Sequence, residues 1–157
     1  LAYLRRNIGV VFQDFRLLPD LTVHENIAFV QEVIGVPFQS AQKRTNEVLD
    51  RLGLWRKRNL FPEQISGGEQ QRVAIGRAIA NSPSILLADE PTGNLDMDTA
   101  DEILQLLLSI NASGTTLVVA THNQYIVDSY RQRVVELRKG RLIRDERKGR
   151  YRSDGDL

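Results

Sequence analysis

The chain has no cysteine, so it can form neither a disulfide nor a thiolate metal site, which fits a reducing compartment. Long apolar runs are also missing. Residues 106–108 and 117–120 are among the longest, and both fall far short of the ~20 residues needed to cross a bilayer. Nothing at the N-terminus reads as a signal peptide. Neither sign of charge dominates: 21 Lys and Arg face 20 Asp and Glu, a net +1, so charge makes no case for nucleic acid as a partner. Internal repeats and low-complexity stretches are absent too. What is present is 157 residues, 41% hydrophobic and 26% charged, enough for one core-burying domain and too few for two full-sized ones. The first residue is Leu1 rather than Met, already inside what reads as structured sequence, so a truncated N-terminus is expected.

Four segments follow from the pattern. Residues 1–13 end just after the β-branched and aromatic run of residues 8–12, which predicts a buried strand. Residues 14–80 read as helical. Thr22 and Glu25 form a capping box ahead of residues 27–34, and Gly35 with Pro37 stops that helix. Ser40 is expected to cap a second helix, in which Val48, Leu49 and Leu52 share a face and Gly53 marks the end. Over residues 81–146 strands and helices alternate. The runs 85–88 and 116–120 suit parallel strands covered on both faces, with a crossover helix over 103–110 between them. Residues 134–137 and 142–143 suggest a hairpin turning at Lys139-Gly140. Residues 147–157 read as a polar tail.

Two motifs carry chemistry. Asp89-Glu90-Pro91 ends an apolar strand in adjacent carboxylates, at the sheet edge where parallel folds bind ligands. Asp89 suits a Mg²⁺ ligand, and Glu90 a group that orients or deprotonates water. A strand running into an acidic turn would look the same. Ser66-Gly67-Gly68-Glu69-Gln70 begins a helix with a second capping box and with Val73, Ile75 and Ile79 as its apolar positions. The unpaired N–H groups of its first turn could receive a phosphate, although a well-capped helix needs no ligand.

Taken in order, Gln13, Ser66 to Gln70, Asp89-Glu90, Gly93 to Asp96 and His122 resemble the ABC ATPase family over essentially the whole chain. They match its Q-loop, signature, Walker B, D-loop and H-loop. The resemblance implies an α/β fold: a partial P-loop NTPase (RecA-like) core with a parallel sheet, and an inserted α-helical subdomain over residues 14–80. It implies ATP and Mg²⁺, and a head-to-tail homodimer in which Ser66, Gly67, Gly68 and Glu69 meet the partner's nucleotide. Gln13 and Asp89 would then serve the metal, Glu90 and His122 the reaction, and Asp96 the coupling of the two sites. Asp96 also suits the N-cap of a helix starting near Met97.

Within the family, residues 4–19, 88–96, 120–128 and 132–145 look most like a bacterial cell-division branch. That branch works with an integral membrane subunit at the cytoplasmic face of the inner membrane. An exporter ATPase is the nearest rival, because it shares residues 89–96. A soluble member of the family, or a non-catalytic binding module, is the reading from another class. Phe15, Leu17, Leu18 and Pro19 are expected in an exposed loop facing the membrane subunit. No G-x-x-x-x-G-K-[ST] occurs in the chain. That phosphate loop normally precedes the strand at residues 8–12, hence the expected truncation, and the chain as it stands is expected to bind ATP weakly. Residues 131–152 hold ten basic and three acidic side chains, a solvated face or one suited to anionic lipid.

Overall fold

In the computed structural model residues 6–151 are described. Positions 1–5 of the first segment and 152–157 of the polar tail lie outside them. The chain divides between Ala120 and Thr121 into two compact units.

The first unit is built on a parallel sheet ordered β1 (Ile8–Val11), β2 (Ile85–Asp89), β3 (Thr116–Ala120). Three helices connect β1 to β2: α1 (Val23–Val33), α2 (Phe38–Arg51) and α3 (Gly67–Ile79). One helix, α4 (Met97–Ala112), connects β2 to β3. The α1 start follows the expected box, since the Thr22 side chain accepts from the Glu25 N–H while the Glu25 carboxylate accepts from the Thr22 N–H. Gly35 at φ 78° ends it, as only glycine does without strain.

Two expectations need correction. The N-cap of α2 is Pro37, not Ser40, and no side chain bonds there. Proline's fixed φ already suits a helix start, so Ser40 falls inside the first turn. Among the described residues, the sheet is also covered unequally on its two faces. Val11, Leu86 and Ala88 are buried, but Val10, Leu87 and Val118, in register across the three strands, are 39%, 37% and 50% exposed. An apolar run is compatible with one or two covered faces, and here successive residues point to unlike surroundings.

The core joins Val11 and Leu86 to Ile27, Val48, Leu49, Val73, Ile75, Ile103 and Leu107. Gly76 lets three core side chains close on α3: a Cβ there would lie 2.5 Å from Leu52, 3.0 Å from Ile27 and 3.2 Å from Val48. Two buried amides bind groups from other segments. Gln31 donates to the Thr45 hydroxyl at 3.1 Å, and Asn26 holds the backbone of Leu18, Leu21 and Thr22.

The second unit contains α5 (Gln124–Tyr130) and an antiparallel hairpin of β4 (Val134–Arg138) and β5 (Arg141–Glu146). Its turn residues Lys139 and Gly140 both have positive φ, 49° and 74°, the combination that a two-residue hairpin turn needs. Arg133 grips Asp145 through two bonds, at 2.8 and 2.6 Å. Beyond β5, the Gly149 N–H reaches the Gln132 carbonyl and the Tyr151 N–H reaches Asp128.

Candidate functional site

Parallel register brings the carboxyl ends of the strands to one edge. Val11 pairs with Ala88, and Asp89 with Ala120. Gln13, Asp89 and Glu90 therefore leave the sheet at the edge where open parallel sheets bind ligands. Asp89 is exposed there. Glu90 bends the chain, with φ 43°, while its N–H still donates to the Ala120 carbonyl at 2.9 Å. A left-handed residue with a side chain is unfavourable by roughly 1–3 kcal/mol and persists only where its surroundings impose it. Here they do. Pro91 and Thr92 are buried behind it, and Gln71 of α3 donates to the Pro91 carbonyl at 2.6 Å.

Gln13 is tied to the loop after Glu90. Asn94 Nδ2 donates to the Gln13 carbonyl at 3.0 Å, and Gln13 Nε2 reaches Asn94 Oδ1 at 3.4 Å. Gly93 permits this approach, because a Cβ there would sit 2.8 Å from Gln13 Nε2. Asp96 then caps α4, which begins at Met97 as expected. Its carboxylate accepts from the Thr99 hydroxyl at 2.6 Å and from the Thr99 N–H at 3.0 Å. Those two bonds hold its pKa below the usual carboxylate range.

The start of α3 carries the second capping box. Ser66 Oγ accepts from the Glu69 N–H, and the Glu69 carboxylate accepts from the Ser66 N–H at 3.0 Å. Lys57 pairs with the other Glu69 oxygen at 2.5 Å. Burial pushes the Glu69 pKa up, but Lys57 and the Ser66 N–H outweigh it and hold the carboxyl below its ordinary value. Lys57 thus balances the one acid in the first turn, so the positive end of the helix is not cancelled. A Cβ at Gly67 would sit 3.7 Å from Leu95 and 4.0 Å from the Phe15 ring, while one at Gly68 would press on the Thr99 methyl. The glycines of α3, the 93–96 loop and the residues after Gln13 are therefore neighbours.

His122 belongs to the second unit, two residues beyond the end of β3, and its side chain is exposed. The next residue, Asn123, caps α5 by accepting from the Tyr125 N–H at 2.9 Å.

Among the described residues no group of three or more His, Cys, Asp or Glu could hold a metal ion. A small hard cation needs less: one or two protein oxygens, with phosphate oxygens and water completing its shell. The Asp89 carboxylate fits that donor set. So does the Gln13 amide oxygen, since Asn94 engages the amide nitrogen.

Sequence reasoning passed over Lys57 and Arg77, and it gave Asn94 and Gln71, which lie within or beside the motifs, no role of their own. Gln71 and Arg77 lie four residues from the core positions Ile75 and Val73, a spacing that could have drawn attention to them. Nothing in the sequence marked Lys57, and the 93–96 motif did not show that Asn94 binds Gln13, because both partners come from distant segments.

A family model described as ABC transporter matches residues 1–93. The cell division ATP-binding protein FtsE of Streptococcus pneumoniae (strain D39) is 56% identical over 96% of this chain. FtsE of Mycobacterium tuberculosis (strain H37Rv) is 57% identical over the same share. The chain spans 66% of the length of each of these proteins. A solved dimeric ATP-binding cassette in a post-hydrolysis state, bound to ADP and Pi, superposes with a TM-score of 0.79 at 40% identity, over 96% of this chain and 67% of that one. A parallel α/β core of this shape, with motifs in this order and identity at this level, places the chain in the ABC transporter family of ATP-binding cassettes.

Proposed function

We propose that this chain is part of the ATP-binding and hydrolysing subunit of an FtsE–FtsX-like complex, which couples ATP hydrolysis to transmembrane activation of cell-wall hydrolysis in cell division. The observation that carries the catalytic reading is the Asp89–Glu90 pair at the carboxyl end of β2, beside a Gln13 tied to Asn94. Asp89 and Gln13 would hold Mg²⁺, which when bound would offset charge on the phosphates. Glu90 accepts a proton from the attacking water; for His122 the family resemblance alone supports a role in the reaction. Ser66, Gly67 and Gly68 present the start of α3 to the nucleotide of a second copy, with Glu69 and Lys57 fixing the cap. Asp96 sits where α4 begins and links one site to the other. The resemblance to FtsE supports this reading over an exporter ATPase.

For the membrane partner, FtsX or its like, the supporting feature is an apolar groove of about 530 Å³ whose lining includes Phe12, Leu18, Phe29, Val30, Val33 and Arg77. Phe29 and Val33 are 41% and 68% exposed. Leu17 instead packs against the core, so the partner would meet Leu18 and α1 rather than Leu17. The resemblance to FtsE supports a location at the cytoplasmic face of the inner membrane, at the division site. No described helix is long and apolar enough to cross a membrane.

The test is hydrolysis by the ATPase that carries this chain and by its Glu90→Gln variant. Loss of one general base is expected to slow turnover by roughly 10²–10⁴-fold while ATP still binds. Near-normal turnover by the variant would remove Glu90 from the mechanism.

A further inference from the structure

Arg77 lies in the last turn of α3, away from every motif used above. Its guanidinium reaches across to the segment that follows Gln13. Nη1 donates to the Arg16 carbonyl at 2.6 Å, and Nη2 donates to the Phe15 carbonyl at 3.0 Å. Those two residues are consecutive and both left-handed, with φ 57° and 49°, an arrangement unfavourable for any residue that carries a Cβ. Local contacts help to close the turn: the Arg16 N–H reaches the Asp14 carbonyl at 2.6 Å, and the Arg16 guanidinium stacks 3.9 Å from the Phe12 ring centroid. The Phe15 ring also lies near Gly67, but the hydrogen bonds from the turn to a distant element come from Arg77, 61 residues from Arg16 in sequence. A fork of two donors to adjacent carbonyls sets direction as well as distance, which an ammonium group does not. The guanidinium is partly buried, and that burial lowers its pKa, so the two carbonyls also offset its desolvation.

We propose that Arg77 is a positioning residue for Gln13: it clamps the left-handed turn at Phe15–Arg16 to the helix that begins at Ser66. Gln13 is then held from two sides, by Asn94 at its own backbone and amide, and by Arg77 through the turn two residues on. Any displacement of α3 relative to the sheet is passed to Gln13. The inference rests on the role proposed above for Gln13 at the metal and the attacking water.

The test compares wild type, Arg77→Lys, Gln13→Ala and the double variant in the ATPase that carries this chain. Misplacing a reacting group by about 1 Å can slow a reaction by around 10²-fold, so R77K is expected to lower kcat by about ten- to a hundredfold with KM for ATP little changed. If Arg77 acts through Gln13, the double variant is no slower than Gln13→Ala. Multiplying effects would overturn the proposal, because a merely structural Arg77 would weaken both backgrounds alike.

A second measurement does not depend on hydrolysis. Without nucleotide, amide hydrogen exchange at Phe15 and Arg16 should rise at least several-fold in R77K while the core of α3 keeps its protection. Unchanged exchange there would also overturn the clamp. Should wild type fail to hydrolyse ATP, or Gln13→Ala leave kcat unaltered, the functional reading fails, and exchange alone decides the clamp. If R77K does not melt cooperatively, Arg77→Gln, which can still donate to one carbonyl, takes its place with the same outcomes.

Discussion

Replacing Gly76 by alanine sets two known effects against each other at one buried point. In a helix interior alanine is better than glycine by about 1 kcal/mol, so an exposed Gly→Ala change in α3 would stabilise it. Gly76 is not exposed. Its added methyl would stand 2.5 Å from Leu52 Cδ1, 3.0 Å from Ile27 Cδ1 and 3.2 Å from Val48 Cγ1. Ordinary carbon contacts lie near 3.5–4.0 Å, so the Leu52 methyl would have to retreat by roughly 1 Å. Leu52, Ile27 and Val48 are all within 2% of full burial, which leaves them little room to retreat. Overpacking of this kind is unfavourable by about 1–3 kcal/mol, and three simultaneous contacts argue for the upper part of that range. The net expectation is a loss of about 1–2 kcal/mol. For a protein of this size or somewhat larger, that lowers Tm by roughly 3–6 °C. Thermal melts followed by circular dichroism, on the wild-type ATPase and on G76A, would read the shift. A Tm equal to or above wild type would refute the reasoning, and would mean that α1, α2 and α3 are not locked around this glycine.

Other expectations test the site and its supports. Ser66→Arg should block formation of the ATP-bound dimer while leaving monomer affinity for ATP nearly intact, which sedimentation and nucleotide titration can separate; a large loss of monomer affinity would place Ser66 on its own nucleotide. Val33→Asp or Phe29→Asp should abolish co-purification with the membrane subunit while sparing ATP binding; undiminished capture by a folded variant would reject the groove. Glu69 is held below its ordinary pKa in the fold. Its stabilisation is therefore present above the unfolded carboxylate value and lost as pH falls through the lower folded one. The Tm of wild type should drop as pH falls below about 4, with a shallower drop in Glu69→Gln; parallel curves would show that the Lys57–Glu69–Ser66 contact carries no linkage.

Much of the fold was legible because its cues are local. Thr22 with Glu25, and Ser66 with Glu69, announce helix starts through bonds between residues three apart. Asp96 does the same for α4, and the positive φ of Lys139 and Gly140 follows from the demands of a tight hairpin. The order of the site motifs was readable for a different reason: Gln13, Asp89 and Glu90 follow apolar strands, and a strand end is visible in sequence. Other features were set by segments far apart in the chain. Whether Val10, Leu87 and Val118 are covered depends on what packs on that face, and an apolar run looks the same in either case. Pro37 starts α2 through its backbone geometry, with no side-chain signal. The contacts of Gln13 with Asn94, of Lys57 with Glu69, and of Arg77 with Phe15 and Arg16 cross 12 to 81 residues. Local patterning along the chain determined which elements form and where their chemistry sits. Tertiary packing alone decided which loops those elements hold in place, because hydrogen bonds between distant segments leave no periodicity in a sequence.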